Sequence, residues 1–241
     1  MSGQHELERL LSKAGACSRV EARAWIRAGR VRVAGQVVRD PALRCAAGVK
    51  LELDGRPLVR AARRTIALHK PRGYLTTRRD PEGRKTIFDL LGPAEQQRKP
   101  VGRLDLETSG LLLLTSDTQL ADRITDPASH VPKTYRVEAR PRLDDAALER
   151  LRKGLVLADG PTRPAKVEKL GDRGPATRLL ITIDEGRNRQ VRRMLQEVGS
   201  RVEKLARLSI GTLELGELAS GTWRELEARE LRALGTPLRA G

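Results

Sequence analysis

Aromatic residues are nearly missing from this chain: two Trp, two Tyr and one Phe among 241 residues, or 2%. A surface that stacks successive bases of single-stranded nucleic acid needs more rings than that, so recognition through phosphates and shape fits better. Cysteine is as scarce. Cys17 and Cys45 form no C-x-x-C pair, and with only three histidines (His5, His69, His130) neither a disulfide framework nor a structural zinc site is expected. The longest run of large apolar residues is Leu111 to Leu114, against the ~20 that a membrane-spanning helix needs. The opening residues, MSGQHELERLL, lack the basic start and apolar stretch of a signal peptide. No G-x-G-x-x-G and no G-x-x-x-x-G-K-[ST] occurs, so no nucleotide-cofactor loop is expected. These absences describe a cytoplasmic protein without membrane segment, cofactor or metal.

Positive charge is what the chain has in excess. There are 47 Lys+Arg against 31 Asp+Glu, a net charge of +16. A field of that size favours a polyanionic partner, most often nucleic acid, although an Arg-rich solvated surface would give the same count. With 39% apolar residues, the chain has enough material for one large core or two smaller ones. The basic stretch RAARRT divides it, giving a domain over 1–60, a linker over 61–65 and a second domain over 66–241. Both parts are basic, the first by +6 and the remainder by +10.

In the first part, Leu7, Leu10, Leu11 and Ala14 recur at helical spacing, and Gly15 is placed to end that helix. Ser18 and Glu21 have the spacing of a capping box that starts a second helix. On it Ala22, Trp25 and Ile26 share one face, Arg19, Arg23, Arg27 and Arg30 project together beside them, and Gly29 closes the end. RVRVAGQVV alternates like a strand and turns at Ala34-Gly35, and VKLELDGRPLV turns at Asp54-Gly55. A basic stripe is usually a solvated helix face; one next to a basic hairpin reads as a phosphate-binding surface. The stretch ERLLSKAGACSRVEARAWIRAGRVRVAGQVV resembles the small RNA-binding domain first seen in ribosomal protein S-four. That resemblance implies two helices and a following loop that grip structured RNA.

The remainder mixes strands and helices. TIALHK reads as a strand, RLDDAALERLRKGL as a helix with Leu148, Leu151 and Leu155 on one side, and RLLITIDEG as a strand with Leu179, Ile181 and Ile183 on one face. EGRNRQVRRMLQEVG carries Val191, Met194, Leu195 and Val198 at helical spacing. The pattern predicts an α+β chain: a mixed sheet with helices packed on it, behind a small α/β domain.

Within it, GRLDLETSGLLLLTSD places one aspartate, Asp105, in a polar loop before a very apolar run. The plain reading is a turn-capping residue or a partner of Arg103. The chemical reading is a nucleophile: a lone carboxylate in a basic cleft stays ionised because positive charge favours the charged form. Arg192, at the border of the apolar stripe of its helix, is the candidate partner, since a partly buried arginine needs a carboxylate or phosphate. Arg187, Arg189 and Arg193 point elsewhere on that reading, toward RNA phosphates.

Four motifs in order, KPRGY (70–74), GRLDLETSGLLLLTSD (102–117), KTYRV (133–137) and EGRNRQVRRM (185–194), resemble the RsuA/RluB/RluE/RluF family of ribosomal RNA pseudouridine synthases, nearest its RluB branch, which modifies large-subunit RNA. The resemblance implies a mainly antiparallel mixed sheet flanked by helices. It implies Asp105 as the catalytic aspartate, acting at the base or at the sugar, and Tyr135 against the target base. It implies Arg192 as the basic partner, Arg103 filling the gap left by a flipped nucleotide, and Leu104 and Ile183 as apolar walls. Lys70, Arg72, Lys133, Arg187, Arg189 and Arg193, with Arg19, Arg23, Arg27 and Arg30, are then expected to hold RNA. Some branches carry histidine where this chain has Arg189, so no histidine role carries over. Isomerisation of a uridine moves no electrons off the substrate and needs no cofactor or metal. The implied partner is ribosomal RNA or a pre-ribosomal particle, met by a monomer. Two other classes fit the basic surfaces: a non-catalytic ribosome-assembly factor, in which Asp105 is dispensable, and an RNA methyltransferase, which needs a glycine-rich loop not found here.

Overall fold

The computed structural model describes residues 4–14, 17–46, 48–58 and 63–235. The chain divides into two units, Met1–Arg63 and Arg64–Gly241. Gly15, and residues 61–62 of the expected linker, lie outside the described residues. Thr65 was expected in that linker; it is buried and its hydroxyl meets that of Thr115 at 2.7 Å, so it begins the sheet of the second unit.

In the first unit, β1 (Gln4–Glu6) pairs with β4 (Arg44–Ala46). Helix α1 (Leu7–Lys13) buries Leu7 and Leu11 completely, and α2 (Arg19–Arg27) lays Ala22 and Ile26 against them, with Trp25 half-buried at the edge. The start of α2 is the expected reciprocal cap. The Glu21 amide donates to Ser18 Oγ at 3.2 Å and the Ser18 amide to Glu21 Oε2 at 2.8 Å. Gly29 follows α2 at φ +70°, a backbone conformation that favours glycine and closes the helix. Strands β2 (Val31–Val33) and β3 (Gln36–Val38) turn through Ala34 and Gly35, and β5 (Leu51–Leu53) and β6 (Arg56–Pro57) through Asp54 and Gly55. All four turn residues have positive φ, the geometry whose twist matches a hairpin. The strand order is β3-β2-β5-β6.

The second unit is built on a sheet of nine described strands. Along the main path they are β13 (Lys166–Arg173), β14 (Ala176–Ile183), β10 (Lys133–Arg140), β15 (Arg201–Ile210), β9 (Ser109–Thr115), β7 (Thr65–Lys70) and β17 (Trp223–Glu225). Strand β8 (Lys99–Val101) adds to β9, and β16 (Leu213–Glu214) to β15. Every pairing is antiparallel except β15 with β9, where Arg207 sits opposite Gly110. There the Arg207 backbone comes within 2.2 Å of the position a Cβ on Gly110 would take, so the contact requires glycine. The sheet is mixed and mainly antiparallel, as expected.

Strand β9 explains the apolar run. Leu111 and Leu113 enter one core with Ile124 of α3 (Thr118–Thr125) and Leu234 of α6 (Ala228–Gly235), while Leu112 and Leu114 enter another with Ile66, Leu68, Ile87 and Phe88. Burial on both faces makes a strand read as a continuous apolar run, and each fully buried leucine contributes about 1.5–3 kcal/mol. A third core joins β10, β14 and β15 to α4 (Asp145–Lys153) and α5 (Gln190–Glu197). Leu155, expected on the stripe of α4, lies past its end: Gly154, at φ +92°, closes the helix and turns Leu155 back into the core. The short ribbon β11 (Val156–Leu157) with β12 (Gly160–Pro161) follows.

Candidate active site around Asp105

Asp105 stands on the loop between β8 and β9, and that loop is tied down from several sides. The Thr76 hydroxyl donates to the Leu104 carbonyl at 2.8 Å and accepts from the Leu104 amide at 3.3 Å. The Thr108 amide closes a turn on the Asp105 carbonyl at 3.0 Å, and the Gly73 amide reaches the Leu106 carbonyl at 2.9 Å. Lys70, the last residue of β7, is expected from the motif resemblance to hold RNA. The structure corrects this: its side chain is fully buried, and Nζ donates to the carbonyls of Pro71, Asp105, Leu106 and Thr108 at 3.0, 3.0, 3.4 and 2.8 Å. A cation inside a sheet edge needs that many acceptors to be tolerated. Burial still pushes its ammonium down to about 8, against the opposing pull of Asp105 and Glu107.

The second wall comes from the start of α5. Arg189 Nη1 lies 3.3 Å from Asp105 Oδ2, and Arg192 Nε 3.7 Å from the same oxygen. The expectation that Arg189 points away is overturned. Arg189 precedes the helix with left-handed backbone (φ 49°, ψ 32°), so helical spacing does not govern its direction. Arg192 is the more deeply set, with a side chain 15% exposed against 51% for Arg189. Its Nη2 also donates to the Glu107 carbonyl at 3.0 Å. Burial, then repulsion from Arg189, lowers the Arg192 guanidinium below its ordinary value.

These residues border a pocket of about 160 Å³. Leu104 and Ile183, both buried, form apolar wall; Tyr135, half-buried, lies between two cores; and Lys133 and Arg103 also line it. The Arg103 side chain is exposed and among the described residues has no ion-pair or hydrogen-bond partner. The Lys133 ammonium donates to the Val131 carbonyl at 2.9 Å, and burial, with Arg207 nearby, brings it down to about 8.

Several residues expected on RNA are engaged by the protein. Arg72 pairs with Glu107. Arg187 pairs with Glu185 at 3.1 Å and donates to the Gly160 carbonyl at 2.9 Å, and Arg193 holds Asp159 through two bonds of 2.7 and 2.9 Å. In the first unit Arg23 pairs with Glu8 and Arg30 with Asp54, leaving Arg19 and Arg27 as the exposed, unpaired members of the α2 stripe among the described residues. Sequence reasoning missed Arg207, Gln190 and Glu185. Arg207 had a signal: in RVEKLARLSI it takes an inward place beside Leu205, where an arginine is out of phase with its face. Among the described residues no three His, Cys, Asp or Glu gather to hold a metal, and no helix is long and apolar enough to cross a membrane.

Comparison with known proteins agrees on both units. Residues 64–197 match the family model for RNA pseudouridylate synthase, and residues 7–51 that for the S4 domain. A protein named "Uncharacterized RNA pseudouridine synthase" from Aquifex aeolicus (strain VF5) is 41% identical over 230 residues, 95% of this chain and 92% of the relative. "Ribosomal large subunit pseudouridine synthase B" of Bacillus subtilis (strain 168) is 37% identical over 95% of this chain and 96% of its own length. The protein of that name in Escherichia coli (strain K12) is 38% identical over 95% and 81%. A solved structure titled "Crystal structure of pseudouridylate synthase" superposes with a TM-score of 0.70 at 30% identity, covering 95% of this chain and 99% of that one.

Proposed function

The chain belongs to the RNA pseudouridylate synthase family, and from that membership we propose that it isomerises one uridine of large-subunit ribosomal RNA, with Asp105 as the nucleophile. The relatives' names supply the substrate class. The observation that carries the assignment of Asp105 is its position: a carboxylate at the edge of a pocket, 3.3 Å from Arg189 and 3.7 Å from Arg192, on a loop tied by Lys70 and Thr76.

A nucleotide inside folded RNA reaches such a pocket only by leaving its stack, at a cost of a few kcal/mol. Phosphate contacts from the basic surfaces offset that cost, and Arg103, unpaired at the rim, fills the vacated place. Leu104 and Ile183 take the faces of the base, Tyr135 packs against it, and Arg192 aims the Asp105 carboxylate. Arg19 and Arg27 of the S4 domain hold neighbouring RNA. The protein works as a cytoplasmic monomer on ribosomal RNA or a pre-ribosomal particle.

The test is pseudouridine mapping on ribosomal RNA from cells lacking the protein, complemented with wild type or Asp105→Asn. One site lost and restored only by wild type supports the reading and names the uridine. No lost site, or restoration by the asparagine variant, rejects it.

A further inference from the structure

The pocket holds a second charged centre, away from Asp105. Arg207 on β15 is only 4% exposed. Its Nε donates to the Leu111 carbonyl at 2.8 Å, yet its buried Nη2 has no partner, and among the described residues no carboxylate pairs with it. Lys133 on β10 has only the Val131 carbonyl, at 2.9 Å. Arg207 is the cross-strand partner of Tyr135, and Lys133 lies two residues before Tyr135 on its strand, so the two cations flank the tyrosine on one face of the sheet. Both line the pocket.

The cations nearest Asp105 are Arg189 and Arg192, at 3.3 and 3.7 Å, whereas Lys133 has Arg207 and Asp184 as its charged neighbours. A buried guanidinium with an idle N–H and no counter-charge is costly to keep unless a ligand supplies the acceptor.

We propose that Lys133 and Arg207 read the carbonyl oxygens of the target pyrimidine and carry the negative charge that develops on it, an inference that rests on the synthase reading of the same pocket. Two features favour a base over a phosphate. Lys133 stands opposite the buried Ile183 and Ile210 across the sheet, whereas Arg189 and Arg192 stand at Asp105. The idle donor is buried, where a backbone phosphate still joined to its chain does not reach. The chemistry is complementary. Uridine offers O2 and O4 as acceptors, while cytidine keeps O2 but puts an amino donor in place of O4, where it meets a cation that can only donate. When the N1–C1′ bond breaks, its electron pair stays on the ring and spreads over O2 and O4, leaving C1′ electron-poor. The ring turns, C5 returns the pair to C1′, the C5 proton leaves to water and N1 takes one up. Charge passes through O2 and O4 only during the reaction, so cations there act more on kcat than on KM.

The test uses the full chain and [5-3H]uridine-labelled ribosomal RNA from cells lacking the protein, reading tritium release. Arg207→Met and Lys133→Met are each expected to lower kcat by about 10²-fold, as loss of one preorganised donor does, with KM little changed. Arg207→Lys is expected to recover roughly tenfold of that, a rescue by charge that a packing role does not give. RNA bearing cytidine at the mapped site is expected to bind wild type more weakly than the uridine form, and both methionine variants alike. Methionine variants that keep kcat within about twofold, or keep the uridine preference, overturn the proposal. If Arg207→Met does not fold, Lys133→Met decides by the same criteria. Wild type that releases no tritium overturns the synthase reading instead.

Discussion

Lys70 Nζ lies 3.0 Å from the backbone carbonyl of Asp105, so a buried cation at the end of one strand holds the residue on which the chemistry is proposed to turn. The same ammonium binds the carbonyls of Pro71, Leu106 and Thr108, spanning the loop from both sides. Lys70→Met is therefore expected to act on the loop rather than on RNA affinity. Asp105 and Leu106 keep backbone donors from Thr108 and Gly73. The loss then approaches two unpaired acceptors, about 2–4 kcal/mol once relief of the lysine's own desolvation is counted. Thermal unfolding is expected to fall by roughly 5–15 °C, and kcat to drop with KM nearly unchanged. An unchanged melting temperature and rate would mean that the loop holds without the lysine.

Asp105→Asn preserves shape and removes the charge. Its contact with the half-exposed Arg189 is worth no more than about 1 kcal/mol. Stability and RNA affinity are expected to stay near wild type while tritium release disappears. A large fall in affinity by filter binding would instead make the carboxylate part of the RNA-binding structure.

Arg189 and Arg192 separate proximity from burial. Arg189 is nearer the carboxylate, 3.3 against 3.7 Å, but its side chain is 51% exposed against 15%. Exposed pairs are screened by water and salt, and Arg192 also binds the Glu107 carbonyl. Arg192→Ala is expected to lower kcat by about 10–100-fold and to reduce stability. Arg189→Ala is expected to cost a few-fold at low salt and less at high salt. The opposite order would show that distance outweighs desolvation at this site.

Periodicity made the local elements legible. The Ser18–Glu21 cap, the turns at Ala34-Gly35 and Asp54-Gly55, and the stripe Val191, Met194, Leu195 all follow from spacing, and all are present. What spacing did not carry was the fate of individual cations. Lys70, Arg72, Arg187 and Arg193 look alike in sequence, but each has partners 26 to 38 positions away, brought to it only by the fold. Arg189 escaped because it sits one residue outside the helix, where a left-handed backbone redirects it. Leu155 escaped for the same kind of reason, one glycine beyond its helix. Asp105 stood out in sequence as an aspartate in a polar loop before a very apolar run, and only the ordered motifs around it suggested a role; which cations stand beside it required the fold.

The α2 stripe gives a graded test of RNA binding. Arg23 and Arg30 are occupied by Glu8 and Asp54, while Arg19 and Arg27 are exposed and unpaired among the described residues. Arg19→Ala with Arg27→Ala is expected to lower the slope of log affinity against log salt by about 2, one per phosphate contact, without changing stability. Arg23→Ala is expected to change the slope less and to destabilise the unit, because Glu8, itself buried, loses its partner. Equal slopes for all variants would remove α2 from the RNA-binding surface.

Alkaline pH isolates the buried lysine. In the unfolded chain Lys70 keeps its proton up to the ordinary lysine range, about 10.4, whereas burial in the fold brings it down to about 8. Between those values the unfolded state binds more protons than the folded one, so this group makes stability rise with pH, by at most about 1.4 kcal/mol per pH unit. Below pH 8 both states are protonated and the contribution is flat. Lys133, also brought down to about 8, moves stability the same way, and Cys17, pushed up to about 11 by burial, moves it the opposite way. Comparing wild type with Lys70→Met cancels both. Denaturant midpoints taken from pH 7.5 to 10 are expected to show the gap between the two proteins widening in favour of wild type above pH 8. A gap that stays constant would mean that Lys70 keeps its proton throughout, with its four carbonyl partners compensating fully for the lost water.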